Sequence, residues 1–318
     1  MGSLVSPEGN RASLSILIYH RVLPMQDEMI AGEVTQQTFD WQMSVLSRYC
    51  NVLPLGEAVK RLGDGMLPDR AVSVTFDDGY ADNYHEALPI LTKYKLPATF
   101  FVATGFVDGG IMWNDMLIES MRTAKGNYIN LKKFNLGQHS LKSFAERQEA
   151  SLCLIDMLKH LDPIERLDQA KKIVEIAAAE LPARLMMTPD QVFKLMQAGM
   201  EIGGHTVTHP ILAKLDVDAA RSEILSGKRR LEDIINAPVS LFAYPNGKPG
   251  TDYMRDHVRI VKELGFSAAV TTAWGVSHRD SDLFQLPRFT PWDKSPKRFM
   301  LRMLKNCLSR DYAQVKAW

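Results

Sequence analysis

Three cysteines in 318 residues, Cys50, Cys153 and Cys307, are odd in number and far apart, so they supply no disulfide framework. No Cys-x-x-Cys offers a thiolate metal site, and the three are expected to be reduced and packed. Charge of one sign is also lacking. With 38 Lys and Arg against 37 Asp and Glu, the net +1 gives no sign of a general nucleic-acid or anionic-membrane binder. Long apolar runs are missing too. The first, Leu14 to Tyr19, is far short of the ~20 residues a bilayer-spanning helix needs, and no apolar core of a secretion signal precedes it. No transmembrane segment and a cytoplasmic location are therefore expected. Met1-Gly2-Ser3-Leu4-Val5-Ser6 has the form of a myristoylation site but reads as a plain leader. No internal repeat or low-complexity tract is visible, and the oligomeric state stays open.

What is present is an ordinary globular composition, 46% hydrophobic and 24% charged, sufficient for one large α/β domain. Within it, the β-branched run Ala71-Val72-Ser73-Val74 leads into Thr75-Phe76-Asp77-Asp78-Gly79-Tyr80, where Gly79 allows an immediate turn. Two carboxylates thus sit at a strand's end. Adjacent aspartates repel, and both stay ionised near neutral pH only beside a cation, a basic partner or solvent. A surface Asp-Asp-Gly turn explains this stretch equally well when it is taken alone. The second indication is Glu201-Ile202-Gly203-Gly204-His205-Thr206-Val207-Thr208-His209-Pro210. Glycines before the histidines, β-branched residues between them and Pro210 after them disfavour a helix and fit a strand running into a loop. Two imidazoles and one carboxylate form the three-ligand, open-position donor set of a catalytic zinc-like ion.

Leu14 to Tyr19 reads as a strand that delivers His20 to the next turn, repeating the arrangement at Asp77. Helices are expected over 38–50 with Thr38 as N-cap, over 54–62, and over 81–94 around Pro89; strands over 98–103, 200–204, 239–244, 267–272 and 283–286. Further helices are expected over 188–198, 216–235, 251–264 and 296–308. The alternation breaks only at 113–187, a mostly helical insertion, clearest at 144–161 and 162–181, that either shapes access to a site or only adds core or makes a subunit contact. In a parallel β/α barrel the residues that follow the strands share one face. His20, Asp77, Asp78, His205, His209, Asn246 and Arg288 all follow strands, so they are expected to converge.

The Asp-Asp and His-x-x-x-His motifs, in this order, resemble the polysaccharide deacetylases of the NodB-homology type, carbohydrate esterase family 4, over about Leu14 to Pro291. The resemblance implies a distorted (β/α) barrel of about seven strands, a single domain over 1–318 interrupted by the insertion. It also implies hydrolysis of the N-acetyl group of an amino-sugar-containing polysaccharide or glycolipid. Asp77 would be the catalytic base. Asp78, His205 and His209 would hold a divalent metal, zinc first, with cobalt, nickel or manganese as alternatives. Hydrolysis of another small amide or an O-acetyl ester is the alternative on the same fold, and a non-catalytic carbohydrate-binding protein is the alternative outside catalysis.

Two departures from that pattern matter. No Leu-x-His occurs near the C-terminus to protonate the leaving amine; Tyr19-His20 resembles an early pair of the exopolysaccharide-modifying branch, and His20 is preferred to His278 for that role. In Phe242-Ala243-Tyr244-Pro245-Asn246-Gly247, Ala243 stands where the family has an arginine that orients the base. Asn246 stands where a backbone N–H stabilises the oxyanion, a function that survives a side-chain change. Arg288 is expected to replace the missing arginine by pairing with Asp77. Tyr244 and Trp292 are expected to pack in the core or at the rim.

Overall fold

A computed structural model describes residues 6–308 and 312–315; residues 1–5 of the leader lie outside them. The chain forms two compact units, one of Met1–Met25, Glu33–Asp108 and Met187–Trp318, the other of Gln26–Gly32 and Gly109–Met186.

In the first unit six parallel strands pair in chain order: β1 (Leu14–Tyr19), β2 (Ala71–Phe76), β3 (Thr99–Val102), β4 (Glu201–Gly204), β5 (Leu241–Ala243) and β6 (Ala268–Val270). Asn51–Val52 adds a short seventh beside the start of β2. The sheet is curled. Leu286 bridges Val270 and Phe289 bridges Leu17, so residues 286–289 carry the hydrogen-bonded path from β6 back to β1. The run expected as a strand at 283–286 is thus reduced to isolated bridges.

Each strand is buried on both sides, as parallel strands under crossover helices must be. One side chain in two points inward. Leu14, Ile16, Ala71, Phe101, Leu241, Ala243, Ala268 and Val270 form the inner cluster. Leu17, Tyr19, Val72, Val74, Phe76, Phe100, Ile202 and Phe242 face the surrounding helices. The inner space is tight at Gly203, where a Cβ would lie 2.4 Å from the Phe101 ring. Continuing the two-residue period past the strand ends carries His20, Asp77 and His205 to the inner side.

The helices begin with α1 (Gln36–Tyr49), α2 (Leu55–Asp64) and α3 (Leu88–Tyr94). The cap of α1 is Thr35, whose hydroxyl accepts from the Thr38 N–H, so Thr38 lies inside the helix and not at its boundary. The expected helix 81–94 forms, with a π-turn at Asn83–Ala87 inside it, and Pro89 falls in the first turn of the segment α3 that follows.

The second unit holds α4 (Trp113–Thr123), α5 (Phe144–Leu158) and α6 (Pro163–Ala177) around Leu117, Met121, Leu154 and Ile173. A capping box of Ser143 and Glu146 starts α5, and Asp162 caps α6. A β-hairpin, Tyr128–Asn130 with Gln138–Ser140, interrupts the insertion expected to be mostly helical. Cys153, expected to be packed, is exposed.

The first unit then continues with α7 (Pro189–Gln197), α8 (Val217–Ile235), α9 (Arg255–Glu263) and α10 (Pro296–Cys307). The expected start of α9 at 251 moves to Arg255, because residues 248–252 close a turn in which the Lys248 N–H donates to Asp252. Among the described residues no helix is long and apolar enough to cross a membrane.

Candidate active site

Consecutive strand residues point to opposite sides, so Asp77 and Asp78 could not share a site on a straight strand. The chain solves this at Asp78, whose φ of 75° lies in the left-handed region that aspartate tolerates better than most residues. That turn redirects the second carboxylate. Thr206, His209 and Asn246 also have positive φ, so non-glycine residues are held in costly conformations in the loops that follow β2, β4 and β5.

Asp78, His205 and His209 come together with one donor atom from each within 4.8 Å of the others. Both imidazole Nε2 atoms face Asp78 Oδ1, at 3.4 Å from His205 and 3.3 Å from His209. That oxygen is buried and has no hydrogen-bond partner. His205 Nδ1–H donates to the Ala243 carbonyl at 2.8 Å, which fixes the tautomer and leaves Nε2 with its lone pair toward the cluster. An orphaned carboxylate oxygen beside two imidazole nitrogens suits a divalent cation, so these residues fit the metal that the motifs imply.

The electrostatics agree with that fit. Burial would raise the Asp78 carboxyl, yet the imidazoles of His209, His205 and His20 around it hold it well below the usual carboxylate range. Burial, reinforced by His205 and His20, brings His209 down to about 4 despite Asp78, so its ring is neutral at pH 7. For His205 burial works against the charged form, but the Asp78 and Asp77 carboxylates beside it outweigh that and raise the pKa.

Asp77 is held apart from these donors by Arg288. The guanidinium makes two parallel bonds, Nη1 to Oδ1 at 2.7 Å and Nη2 to Oδ2 at 2.6 Å, and both side chains are almost wholly buried. Arg288 is fixed in turn by Nε to the Thr271 carbonyl and Nη1 to the Thr75 hydroxyl. Burial would raise the Asp77 carboxyl; Arg288, then His205 and His20, hold it below its ordinary value. The expected pair is present.

His20 lies on the same side, close enough to bias both aspartates and His209. Its carbonyl accepts from Asn83 Nδ2 at 2.8 Å. Tyr19 points the other way, stacked on Phe76 and hydrogen-bonded to Gln42, so of the Tyr-His pair only the histidine reaches this side. Asn246 sits on the loop after β5, its carbonyl accepting from the Thr272 hydroxyl at 2.7 Å. His278 is elsewhere. Its neighbour Ser277 pairs with Leu14 at the start of β1, about 20 Å of strand away from His20. Tyr244 is core and Trp292 is half-exposed rim.

The sequence reading missed the residues that hold the loops. Glu223 of α8 accepts from the backbone N–H of Val207 and Thr208 and from the Thr208 hydroxyl, all at 2.9 Å, and so fixes the segment between the two histidines. Asp82 takes Arg21 Nε at 2.8 Å and the Val22 N–H at 3.1 Å, fixing the turn that carries His20. Asp82 follows the Asp-Asp-Gly-Tyr stretch closely enough to have been considered; nothing in the sequence marks Glu223.

The family described as polysaccharide deacetylase matches residues 64–269. A Bacillus subtilis protein described as a polysaccharide deacetylase, YxkH, is 21% identical over 277 residues, 87% of this chain and 71% of that protein. The poly-β-1,6-N-acetyl-D-glucosamine N-deacetylase of Staphylococcus aureus N315 is 31% identical over 120 residues, 37% of this chain and 41% of that enzyme. Two solved structures share the fold. The Streptococcus pyogenes deacetylase PplD, in complex with acetate, superposes with a TM-score of 0.63 at 22% identity, over 92% of this chain and 98% of that one. IcaB from Ammonifex degensii superposes at 0.58 and 19% identity, over 94% and 97%.

Proposed function

The chain belongs to the polysaccharide deacetylase family, and from that premise we propose that it is a metal-dependent hydrolase of the N-acetyl group of amino sugars in a polysaccharide or glycolipid. The observation that carries this reading is the division of labour between neighbouring carboxylates: Asp78 orphaned among imidazoles, Asp77 ion-paired and out of that donor set. A divalent cation held by Asp78, His205 and His209, with zinc best suited to this donor set, would polarise the acetyl carbonyl and acidify water.

Asp77 is ionised at neutral pH and takes the proton of the attacking water. Arg288 keeps that carboxylate charged and aimed, as the family's missing arginine would. His20 gives its proton to the amide nitrogen as the C–N bond breaks, so that acetate and a free amine leave. The loop at Asn246 follows β5, whose Ala243 carbonyl accepts from His205, and is the candidate source of a backbone N–H for the oxyanion.

The test is acetate release from N-acetylglucosamine oligomers, β-1,6-linked ones first because of the staphylococcal relatives, and from lipid-linked N-acetylated sugars. Release should need metal, stop with chelator and fall by about 10²–10⁴ in Asp77→Asn, the usual cost of losing a general base. Release from O-acetyl esters alone would move the function to the ester reading, and carbohydrate binding without release would leave a binding protein.

A further inference from the structure

We propose that α10 docks the protein onto the surface of an anionic phospholipid bilayer. The helix uses one face for the fold: Phe299, Met303 and Asn306 are buried against the first unit. At 3.6 residues per turn, Leu301, Leu304 and Leu308 fall on the opposite side, and Leu301 and Leu308 are each 68% exposed. Among the described residues this second apolar stripe is left largely exposed. Trp292, 52% exposed, precedes the helix and packs against Trp274 at 5.3 Å, adding an indole pair at the same end.

Charge selects the partner. From 294 to 308 the sequence holds Lys294, Lys297, Arg298, Arg302 and Lys305 and no acid, a cluster that the whole-chain balance of +1 conceals. Arg302 is tied to Asp293 and lies over both tryptophans. Among the described residues none of the other four has a carboxylate partner. Lysine flanking an apolar stripe is depleted at protein–protein interfaces and favoured where stems lie along a lipid surface with ammonium groups at the phosphates. An apolar cavity of about 350 Å³, lined in part by Val45, Tyr49, Met300 and Leu304, adds depth beside the stripe.

The test is flotation of the full chain with vesicles of phosphatidylcholine alone or with about one-third phosphatidylglycerol. The anionic vesicles should carry the protein, and salt should release it. Lys297→Gln with Lys305→Gln should weaken binding about 25-fold, at ~fivefold per cation near an anionic surface. Leu301→Ser with Leu308→Ser should weaken it independently of salt. All four positions are exposed, so melting temperature should not change. Absence of binding to anionic vesicles, equal binding to neutral ones, or indifference to both pairs of substitutions would overturn the proposal. So would a concentration-dependent dimer that Leu301→Asp dissolves, which would make the stripe a contact between copies of this chain.

Discussion

Replacing Arg288 by methionine keeps the stem and removes the guanidinium, which leaves the buried Asp77 carboxylate without its two charge-assisted bonds of 2.6 and 2.7 Å. Removing one partner of a buried pair typically costs about 3–5 kcal/mol, because the other charge stays desolvated. Thr75 and the Thr271 carbonyl lose a partner as well. We expect about 4 kcal/mol by urea unfolding, a large share of a normal domain stability. The pair itself is isolated by the double variant Asp77→Asn with Arg288→Met, whose loss should be well below the sum of the two single losses.

The pH dependence follows from the direction of the Asp77 shift. Its folded pKa is depressed, so its contribution is full above the ordinary carboxylate value of about 3.9 and is lost as pH falls through the folded value. Without Arg288, burial loses its strongest opponent and pushes that carboxyl up. The stability gap between wild type and variant should therefore be widest near neutrality and close in acid. The acid limb of the pH–rate profile should move to higher pH, since the base must be ionised to act. An Arg288→Met protein with unchanged unfolding free energy and an unchanged acid limb would refute both the pairing and its role.

Metal analysis by mass spectrometry should show near-complete loss in His205→Ala with His209→Ala, whereas Asp77→Asn retains the metal; stoichiometric metal in the histidine variant would sink the site. His20→Ala should cut kcat sharply on N-acetyl substrates, less on an activated acetyl ester, and leave metal content alone. His278→Ala should do none of this; a selective amide defect there would reassign the acid. Glu201→Ala should lower stability by about 2 kcal/mol with kcat unchanged, because Glu201 accepts from the Gly56 N–H at 3.1 Å and from the Thr99 hydroxyl at 2.7 Å. It thereby caps α2, which has no side-chain cap of its own, and a matching kcat loss would contradict that purely structural role.

The convergence of His20, Asp77, Asp78 and His205 was legible because strand period and direction are local properties. A short apolar run fixes where a strand ends, and a parallel sheet puts all such ends on one face. The turn at Asp78 that breaks the alternation was not legible, since aspartate is compatible with several conformations. Nor were Glu223 and Glu201. Each serves a backbone group 15 to 145 residues away, so each contact exists only once the helices and strands are placed. The hairpin in the second unit was hidden for a different reason: both of its strands are three residues long, too short for a period to show.

The choice between His20 and His278 shows how far the strand rule reaches when it is applied in both directions. A residue that follows a parallel strand lies at the catalytic end, and one that precedes the next upward-running segment lies at the other end. Arg288 belongs to residues 286–289, which run parallel to β6 and β1, and it emerges beside Asp77. His278 comes before that segment, on the descending connection from β6, where Ser277 pairs antiparallel with Leu14. Its distance in sequence from β6 resembles that of a C-terminal catalytic histidine, but its direction of approach is opposite. With His278 at the far end of the sheet, the proposed deacetylation would need its proton for the leaving amine from a group on the other side. Among the described histidines that are not metal-ligand candidates, His20 alone both follows a sheet strand and perturbs Asp77 and Asp78.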